Sequence, residues 1–250
     1  MSAMTRRNFH VQLAALFAAG IPSLRYILLD VPSQHLSVNW PDSRSMVSYG
    51  SLLKPFLVLA YAKTHGRFPE VICRGTASGC WLPNGHGKQT ICPALANSCN
   101  AYFLALAAAI DRPALDNVCL EYQLFPPAVA STPASWIGLQ EGWPQSAEPV
   151  LEAFRRLAQN RSNPAASLAL TGMELCALSG TGKAAALHCF AKTGTAPCSH
   201  TPAAEADGFA ILIYPTDVPR LILLAEQHGT TGAHTAALAS ALLRSSFGVH

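Results

Sequence analysis

Short apolar runs lie near both ends of the chain, and the long middle section carries helical patterns instead. Runs of apolar and β-branched residues bounded by turn residues are typical of strands. The predicted strands are residues 25–30, 35–40, 187–192, 208–214 and 219–226. Pro32-Ser33 marks a turn between the first two strands, and Pro215-Thr216-Asp217 joins the last two as a hairpin.

Apolar residues at helical spacing predict helices in the remaining segments. The predicted helices are residues 51–64, 100–110, 148–159, 165–178 and 234–245. Residues 66–93 are rich in Gly, Pro and Cys and are predicted to be loop, and residues 111–183 contain no convincing strand apart from an ambiguous stretch at Leu124. The order of strands, helices, strands and helix predicts an α+β fold, in which an antiparallel sheet from both chain ends is flanked by helices.

The chain is predicted to have one main domain, residues 25–250, with a helical block of about residues 66–183 inserted into it. Residues 1–24 have two interpretations. Arg6-Arg7 precedes an apolar stretch, residues 11–21, as in a twin-arginine export signal, which would make the protein periplasmic or extracytoplasmic. Alternatively, residues 8–19 form a helix that packs on the domain. The apolar stretch is too short to span a bilayer, so membrane association is expected only through this N-terminus.

The charge composition excludes a nucleic-acid-binding surface. Only 12% of the 250 residues are charged, the net charge is +3, and Lys and Arg form no run longer than a pair. The 50% share of hydrophobic residues instead indicates a protein with a large core.

The cysteines give no sequence signal for a metal or a cofactor. There are eight, and they form no Cys-x-x-Cys pair; the chain also lacks a His-Glu-x-x-His motif, so we expect no zinc site. An even number of cysteines permits disulfides in an exported protein, with Cys73 and Cys80 as the first local candidates. Free, buried thiols are the alternative.

Three short motifs supply groups for acyl transfer: Ser51-Leu52-Leu53-Lys54, Ser98-Cys99-Asn100 and Lys192-Thr193-Gly194. Ser51 stands at the start of a predicted helix, and Lys54 follows on the same helix face. A serine hydroxyl needs a base to attack a carbonyl, and lysine can serve when burial or another cation lowers its pKa. We expect Lys192 to be that second cation.

The other two motifs are expected to bind and orient a substrate. Ser98 would relay a proton to the leaving amine, and Asn100 would hold a substrate amide. Gly194 follows a predicted strand and would let a substrate backbone approach and pair along the strand edge. The N–H groups of Thr195 and Ser51 would form an oxyanion hole. Each motif alone is common, but each falls in the predicted context that the chemistry needs.

These motifs and their flanking residues resemble those of penicillin-binding protein transpeptidases. The similarity covers residue 25 onward and is carried by Gly50-Ser51-Leu52-Leu53-Lys54-Pro55-Phe56, Gly85-His86-Gly87, Ala94 to Phe103, Gly180-Thr181-Gly182 and Lys192-Thr193-Gly194-Thr195-Ala196. The resemblance implies an antiparallel sheet beside an all-helical subdomain, with the active site between them.

The resemblance also implies a reaction. Ser51 would attack the D-Ala-D-Ala peptide of a peptidoglycan stem, and an amine or water would release the acyl group. Lys54 would be the base, Ser98 and Lys192 the proton relay and carboxylate anchor, and Asn100 an amide contact, with Thr193, Gly194 and Thr195 beside the substrate. Penicillins and other β-lactams would acylate the same serine, and no cofactor is implied.

Two alternatives share the fold. The chain length and motif spacing also resemble class D β-lactamases, but those enzymes commonly carry an apolar residue where Asn100 stands, to keep a carboxylated lysine dry. A sensor domain that is acylated and not turned over is the second alternative. The lifetime of the acylated serine distinguishes a β-lactamase, which loses the adduct within seconds, from a penicillin-binding protein, which keeps it for hours.

Overall fold

The computed structural model describes residues 24–140, 142–198 and 206–249. The twin-arginine segment and the alternative packing helix fall in residues 1–23, outside the described residues. None of the helices in the described ranges has both the length and the apolar character needed to cross a membrane.

An antiparallel five-stranded sheet is built from both ends of the described chain, as the sequence predicts. The strands are β1 (Arg25–Asp30), β2 (His35–Asn39), β3 (Val47–Ser48), β4 (Val71–Cys73), β5 (Gly87–Gln89), β6 (Pro144–Gln145), β7 (Phe190–Ala196), β8 (Asp207–Tyr214) and β9 (Leu221–His228). The order in the main sheet is β2-β1-β9-β8-β7, while β3 pairs with β6 and β4 with β5. Strand β7 therefore lies at one edge of the main sheet.

Helices cover both faces of this sheet, which confirms the α+β fold. They are α1 (Lys54–Ala62), α2 (Ile91–Ala96), α3 (Asn100–Ala108), α4 (Arg112–Tyr122), α5 (Pro133–Trp136), α6 (Ala147–Gln159), α7 (Pro164–Leu178) and α8 (Gly232–Phe247). Helix α1 is buried from Lys54 to Tyr61. Its Phe56 ring packs edge-on against Phe154 of α6, with centroids 5.1 Å apart.

Strand β8 is covered on both faces of the sheet. Its successive side chains point to opposite faces, and seven of its eight residues are buried. Ile211 packs in the cluster that includes residues of α1, α3, α4 and α6, whereas Leu212 packs in the cluster that includes α8. An uninterrupted apolar sequence is therefore the expected pattern for this strand.

The prediction for the strand that carries Lys192 had the wrong boundaries. Instead of ending at residue 192, β7 continues to Ala196, with Lys192 opposite Ile211 and Thr195 opposite Gly208. The Lys192-Thr193-Gly194 motif thus lies inside an edge strand. Gly194 does not end the strand. Because it has no side chain, β7 can continue past it while lying close to the turn that follows Tyr49.

Residues 66–183 have more regular structure than predicted. Residues 66–93 contain the β4–β5 ribbon and the start of α2, and not only loop. Residues 111–183 contain two unpredicted helices, α4 and α5, and the two-residue strand β6. No strand forms at Leu124, whose backbone N–H instead bonds the carbonyl of Cys119 at the end of α4.

Candidate active site

Ser51 lies in a single 3₁₀ turn, Gly50–Leu53, that leads directly into α1. Gly50 has a φ of +54°, and a Cβ at this position would lie 2.2 Å from the carbonyl oxygen of Thr195. Only glycine fits this turn so closely against β7. Ser51 is partly exposed, and its hydroxyl makes no hydrogen bond to the residues that the structure describes.

Lys54 is fully buried at the start of α1 and points toward the second motif. Its Nζ donates hydrogen bonds to the backbone oxygen of Ser98 at 3.0 Å and to Oδ1 of Asn100 at 2.6 Å. The same ammonium lies 5.2 Å from the centre of the Phe103 ring. The Phe103 contact is a site feature that the sequence analysis missed, although the position falls within the similar stretch.

Ser98 connects the two lysines. It has a φ of +52° in the turn between α2 and α3, which is a costly conformation of order 1–3 kcal/mol for a residue with a side chain. In this conformation its carbonyl accepts from Lys54, while its hydroxyl accepts a short hydrogen bond from Nζ of Lys192. Lys192 also donates to the carbonyl of Thr193 at 2.7 Å.

Burial strongly affects the protonation of both lysines. Desolvation lowers the pKa of Lys54 well below its ordinary value, and the positive charge of Lys192 lowers it further. Desolvation also lowers the pKa of Lys192, to about 8. These pKa shifts favour a neutral Lys54 beside a positively charged Lys192 near neutral pH.

Strand β7 places the third motif beside Ser51. A Cβ on Gly194 would lie 2.1 Å from the carbonyl oxygen of Tyr49, the residue just before the 3₁₀ turn. Thr193 is buried and its hydroxyl bonds that of Thr181 at 2.6 Å. Thr195 is exposed, and its Oγ1 accepts from the backbone N–H of Gly232 at 3.1 Å.

Thr181 was not singled out as a site residue in the sequence analysis. Its hydroxyl contacts both Thr193 Oγ1 and, at 3.3 Å, the backbone oxygen of Ala96 at the end of α2. It thereby connects β7 to the helix that precedes the Ser98 turn. The signal in the sequence was its position between Gly180 and Gly182 in the similar stretch.

The predicted site residues therefore meet in one region. Lys54, Ser98, Asn100 and Lys192 share one buried hydrogen-bond network. The turn that carries Ser51 lies against residues 193–195 of β7, because Gly50 packs on the Thr195 backbone and Gly194 packs on the Tyr49 backbone.

Residues able to hold a metal ion lie directly behind this region. Cys73, Cys80, His86 and Cys99 each offer one donor atom, and these atoms all lie within 4.8 Å of one another. The sequence analysis expected no such group, because it considered only ligands close in sequence. Of the two interpretations of the cysteines, the structure has free thiols at all eight positions and no disulfide between Cys73 and Cys80.

Comparison with solved structures identifies the architecture. The chain superimposes on Helicobacter pylori PBP2, from its complex with MreC, with a TM-score of 0.76 and 14% identity over 97% of this chain and 63% of that one. It matches Pseudomonas aeruginosa PBP2 in complex with WCK 5153 with a TM-score of 0.71 and 13% identity, covering 95% of this chain and 73% of that one. The chain has the fold of a penicillin-binding protein transpeptidase domain.

The same fold extends to isolated transpeptidase domains. The transpeptidase domain of FtsI4 D,D-transpeptidase from Legionella pneumophila aligns with a TM-score of 0.66 and 18% identity, covering 96% of this chain and 93% of that one. The chain spans less than two thirds of the Helicobacter pylori PBP2 chain. Sequence comparison finds no matching protein-family model and no matching curated protein.

Proposed function

We propose that this chain is a serine acyl transferase of the D,D-transpeptidase or carboxypeptidase type, which acts on D-Ala-D-Ala peptidoglycan stem peptides and is acylated by penicillins. The observation that carries the proposal is the bridging position of Ser98, which bonds Lys54 through its carbonyl and Lys192 through its hydroxyl. This network, next to a serine at the start of a buried helix, provides a base, a relay and a cation.

The acylation step follows from these groups. Ser51 Oγ forms a bond to the carbonyl carbon of the penultimate D-Ala, and neutral Lys54 takes the hydroxyl proton. The C–N bond then breaks, and the leaving D-Ala amine receives a proton through Ser98. The backbone N–H groups of Ser51 and Thr195 stabilise the oxygen that becomes negative. The penicillin ring would open by the same route.

Substrate positioning falls to β7 and Asn100. Because β7 is an edge strand of the main sheet, a stem peptide can add to it in extended form beside Thr193, Gly194 and Thr195. Positively charged Lys192 would anchor the terminal carboxylate. Asn100 would contact a substrate amide with its NH₂ group, since its Oδ1 accepts from Lys54. A second stem-peptide amine or water then releases the acyl group from Ser51.

The contact between Asn100 and Lys54 also favours this reaction over class D-like β-lactamase activity. A class D mechanism would need a dry, apolar pocket around a carboxylated lysine. Here an amide oxygen lies 2.6 Å from the lysine nitrogen. We therefore expect a long-lived penicilloyl adduct. An extracytoplasmic location, where peptidoglycan and β-lactams are found, is part of the proposal.

Labelling with a fluorescent penicillin, followed by washout, tests the function. The Ser51→Ala variant should not label, whereas Ser45→Ala, which alters an exposed serine six residues earlier, should label like the wild type. Label that persists for hours supports a penicillin-binding protein, and loss within seconds means a β-lactamase. An assay for D-Ala released from a D-Ala-D-Ala peptide then distinguishes an enzyme, which releases D-Ala, from a sensor domain, which does not. Equal labelling of Ser51→Ala would contradict the proposal.

A further inference from the structure

A compact group of three thiols and one imidazole lies behind the Ser98 turn, and the proposed acylation does not use it. Cys73 ends β4, and Cys80 follows the 3₁₀ turn Gly75–Ser78. His86 immediately precedes β5, and Cys99 is the residue before the first turn of α3. We call these four residues the cysteine–histidine cluster.

Three of the six donor–donor distances in the cysteine–histidine cluster are close to the edges of one coordination tetrahedron, and all six are within 4.8 Å. His86 Nδ1 lies 3.6 Å from Cys73 Sγ and 3.5 Å from Cys80 Sγ, and the Cys80 and Cys99 sulfurs are 3.9 Å apart. Tetrahedral zinc with bonds of about 2.3 Å to sulfur and about 2.0–2.1 Å to nitrogen requires edges of roughly 3.8 Å for S···S and roughly 3.6 Å for S···N. A disulfide would need about 2.05 Å between sulfurs.

The surroundings also suit metal-bound thiolates. All three cysteines are buried. Backbone N–H groups of Gly75 and His86 lie near the Cys73 sulfur, and that of Tyr102 lies near the Cys99 sulfur. N–H groups directed at sulfur stabilise negative charge there.

The loop that carries His86 is fixed by close packing. A Cβ on Gly85 would lie 2.3 Å from the carbonyl oxygen of Cys73, so this loop must lie directly against β4. The Trp81 ring packs edge-on against the His86 ring, with centroids 5.4 Å apart. These contacts determine where the imidazole lies relative to the sulfurs.

We propose that Cys73, Cys80, His86 and Cys99 form a closed, four-ligand zinc site that holds the Ser98–Asn100 turn in position. Three sulfur ligands and one nitrogen favour zinc over magnesium or calcium, which prefer oxygen. The donor atoms are too close together to surround an iron–sulfur cluster. Because the four residues complete the coordination, the ion is structural and takes no part in the reaction.

The connection to the active site runs through Cys99. This residue lies between Ser98, which bonds both lysines, and Asn100, which bonds Lys54. A metal bond at Cys99 would fix the turn that presents these groups. The inference does not require the proposed reaction, because metal binding can be measured without any substrate.

Metal analysis of the purified 250-residue chain tests the site. Protein produced with zinc in the medium and then desalted should contain about one zinc per chain, and so should Cys119→Ser, which alters a cysteine equally buried but outside the cluster. Cys73→Ser and His86→Ala should each lose most of the zinc. Wild-type protein with far less than one zinc, stoichiometric iron in its place, or variants that keep their zinc would overturn the proposal.

A cobalt measurement on the wild type covers the case in which the variants fail to fold. Cobalt(II) added to metal-stripped protein should produce thiolate-to-metal charge-transfer bands and the intense ligand-field bands of a tetrahedral site. Absence of these bands, or a Cys80–Cys99 disulfide found by mass spectrometry, would overturn the site.

The positioning role has its own measurement. Loss of the metal in folded His86→Ala should slow penicillin acylation by roughly 10–100-fold, as expected when the support of a site is lost. Cys119→Ser should keep the wild-type rate. Unchanged acylation in zinc-free His86→Ala would contradict the positioning role, whatever the result for zinc.

Discussion

The close approach of β7 to the Ser51 turn can be tested with one methyl group. In Gly194→Ala the new Cβ would lie 2.1 Å from the carbonyl oxygen of Tyr49 and 3.1 Å from the backbone nitrogen of Leu52, whereas ordinary contact begins at 3.4 Å. Both neighbours are backbone atoms, so β7 and the turn must separate by more than 1 Å. A misplacement of about 1 Å between reacting groups can cost roughly 100-fold in rate.

We therefore expect Gly194→Ala to lower the second-order rate constant of penicillin acylation by about 100-fold or more. Overpacking of this kind should also cost about 1–3 kcal/mol of stability. Stopped-flow labelling and thermal unfolding measure the two effects. Gly66→Ala is the matched control, because a Cβ there meets nothing within 4 Å. A Gly194→Ala protein with the acylation rate and melting temperature of the wild type would refute the close contact between β7 and the Ser51 turn.

Three further predictions concern the buried polar groups. Ser98→Ala removes the hydroxyl that accepts from Lys192 and should slow acylation by about 10²-fold or more, measured by penicillin labelling; a wild-type rate would exclude the relay. The acylation rate should rise with pH as Lys54 loses its proton, and should fall above about pH 8 as Lys192 loses its charge; a rate that continues to rise to pH 10 would argue against Lys192 as a charged anchor. Burial raises the pKa of Glu226 from 4.5 to about 7, so the folded protein keeps a proton that the unfolded chain releases, and stability falls as pH rises through this window. The free energy of unfolding of Glu226→Gln, measured by urea titration, should therefore rise by about 2–3 kcal/mol relative to that of the wild type between pH 4 and pH 8. If the difference in unfolding free energy between the two proteins is the same at both pH values, the raised pKa is contradicted.

Local pattern was sufficient to predict the main sheet and the principal helices. The short apolar runs at residues 26–29 in β1 and 209–213 in β8 predict strands that are buried on both faces, and these residues are all buried in the structure. Helix α4 was missed because its sequence begins with Arg112-Pro113 and places Asp116, Asn117 and Glu121 among its apolar residues, and because Leu120 remains exposed in the structure. The extent of β7 was also missed, since Thr193 and Gly194 look like the end of a strand when their neighbours are unknown.

The candidate site depends on contacts between distant parts of the chain. Lys54 meets a residue 46 positions away, and Ser98 meets one 94 positions away. Spacing within one helix cannot predict such contacts, so they were expected only from the groups that acyl transfer needs and from the resemblance to transpeptidases. The cysteine–histidine cluster had no comparable signal. Its ligands lie on a strand end, two loops and a helix start, and only the folded chain brings them together.

The most direct measurement of the central claim is the position of the acyl group after reaction with penicillin. Intact-protein mass spectrometry should find one added penicilloyl group, and peptide mapping should place it on Ser51. Lys54→Met should acquire the group at least 10²-fold more slowly, at the same serine, because it keeps the nucleophile but lacks the base. An adduct on another residue, or equal rates for the wild type and Lys54→Met, would contradict the account.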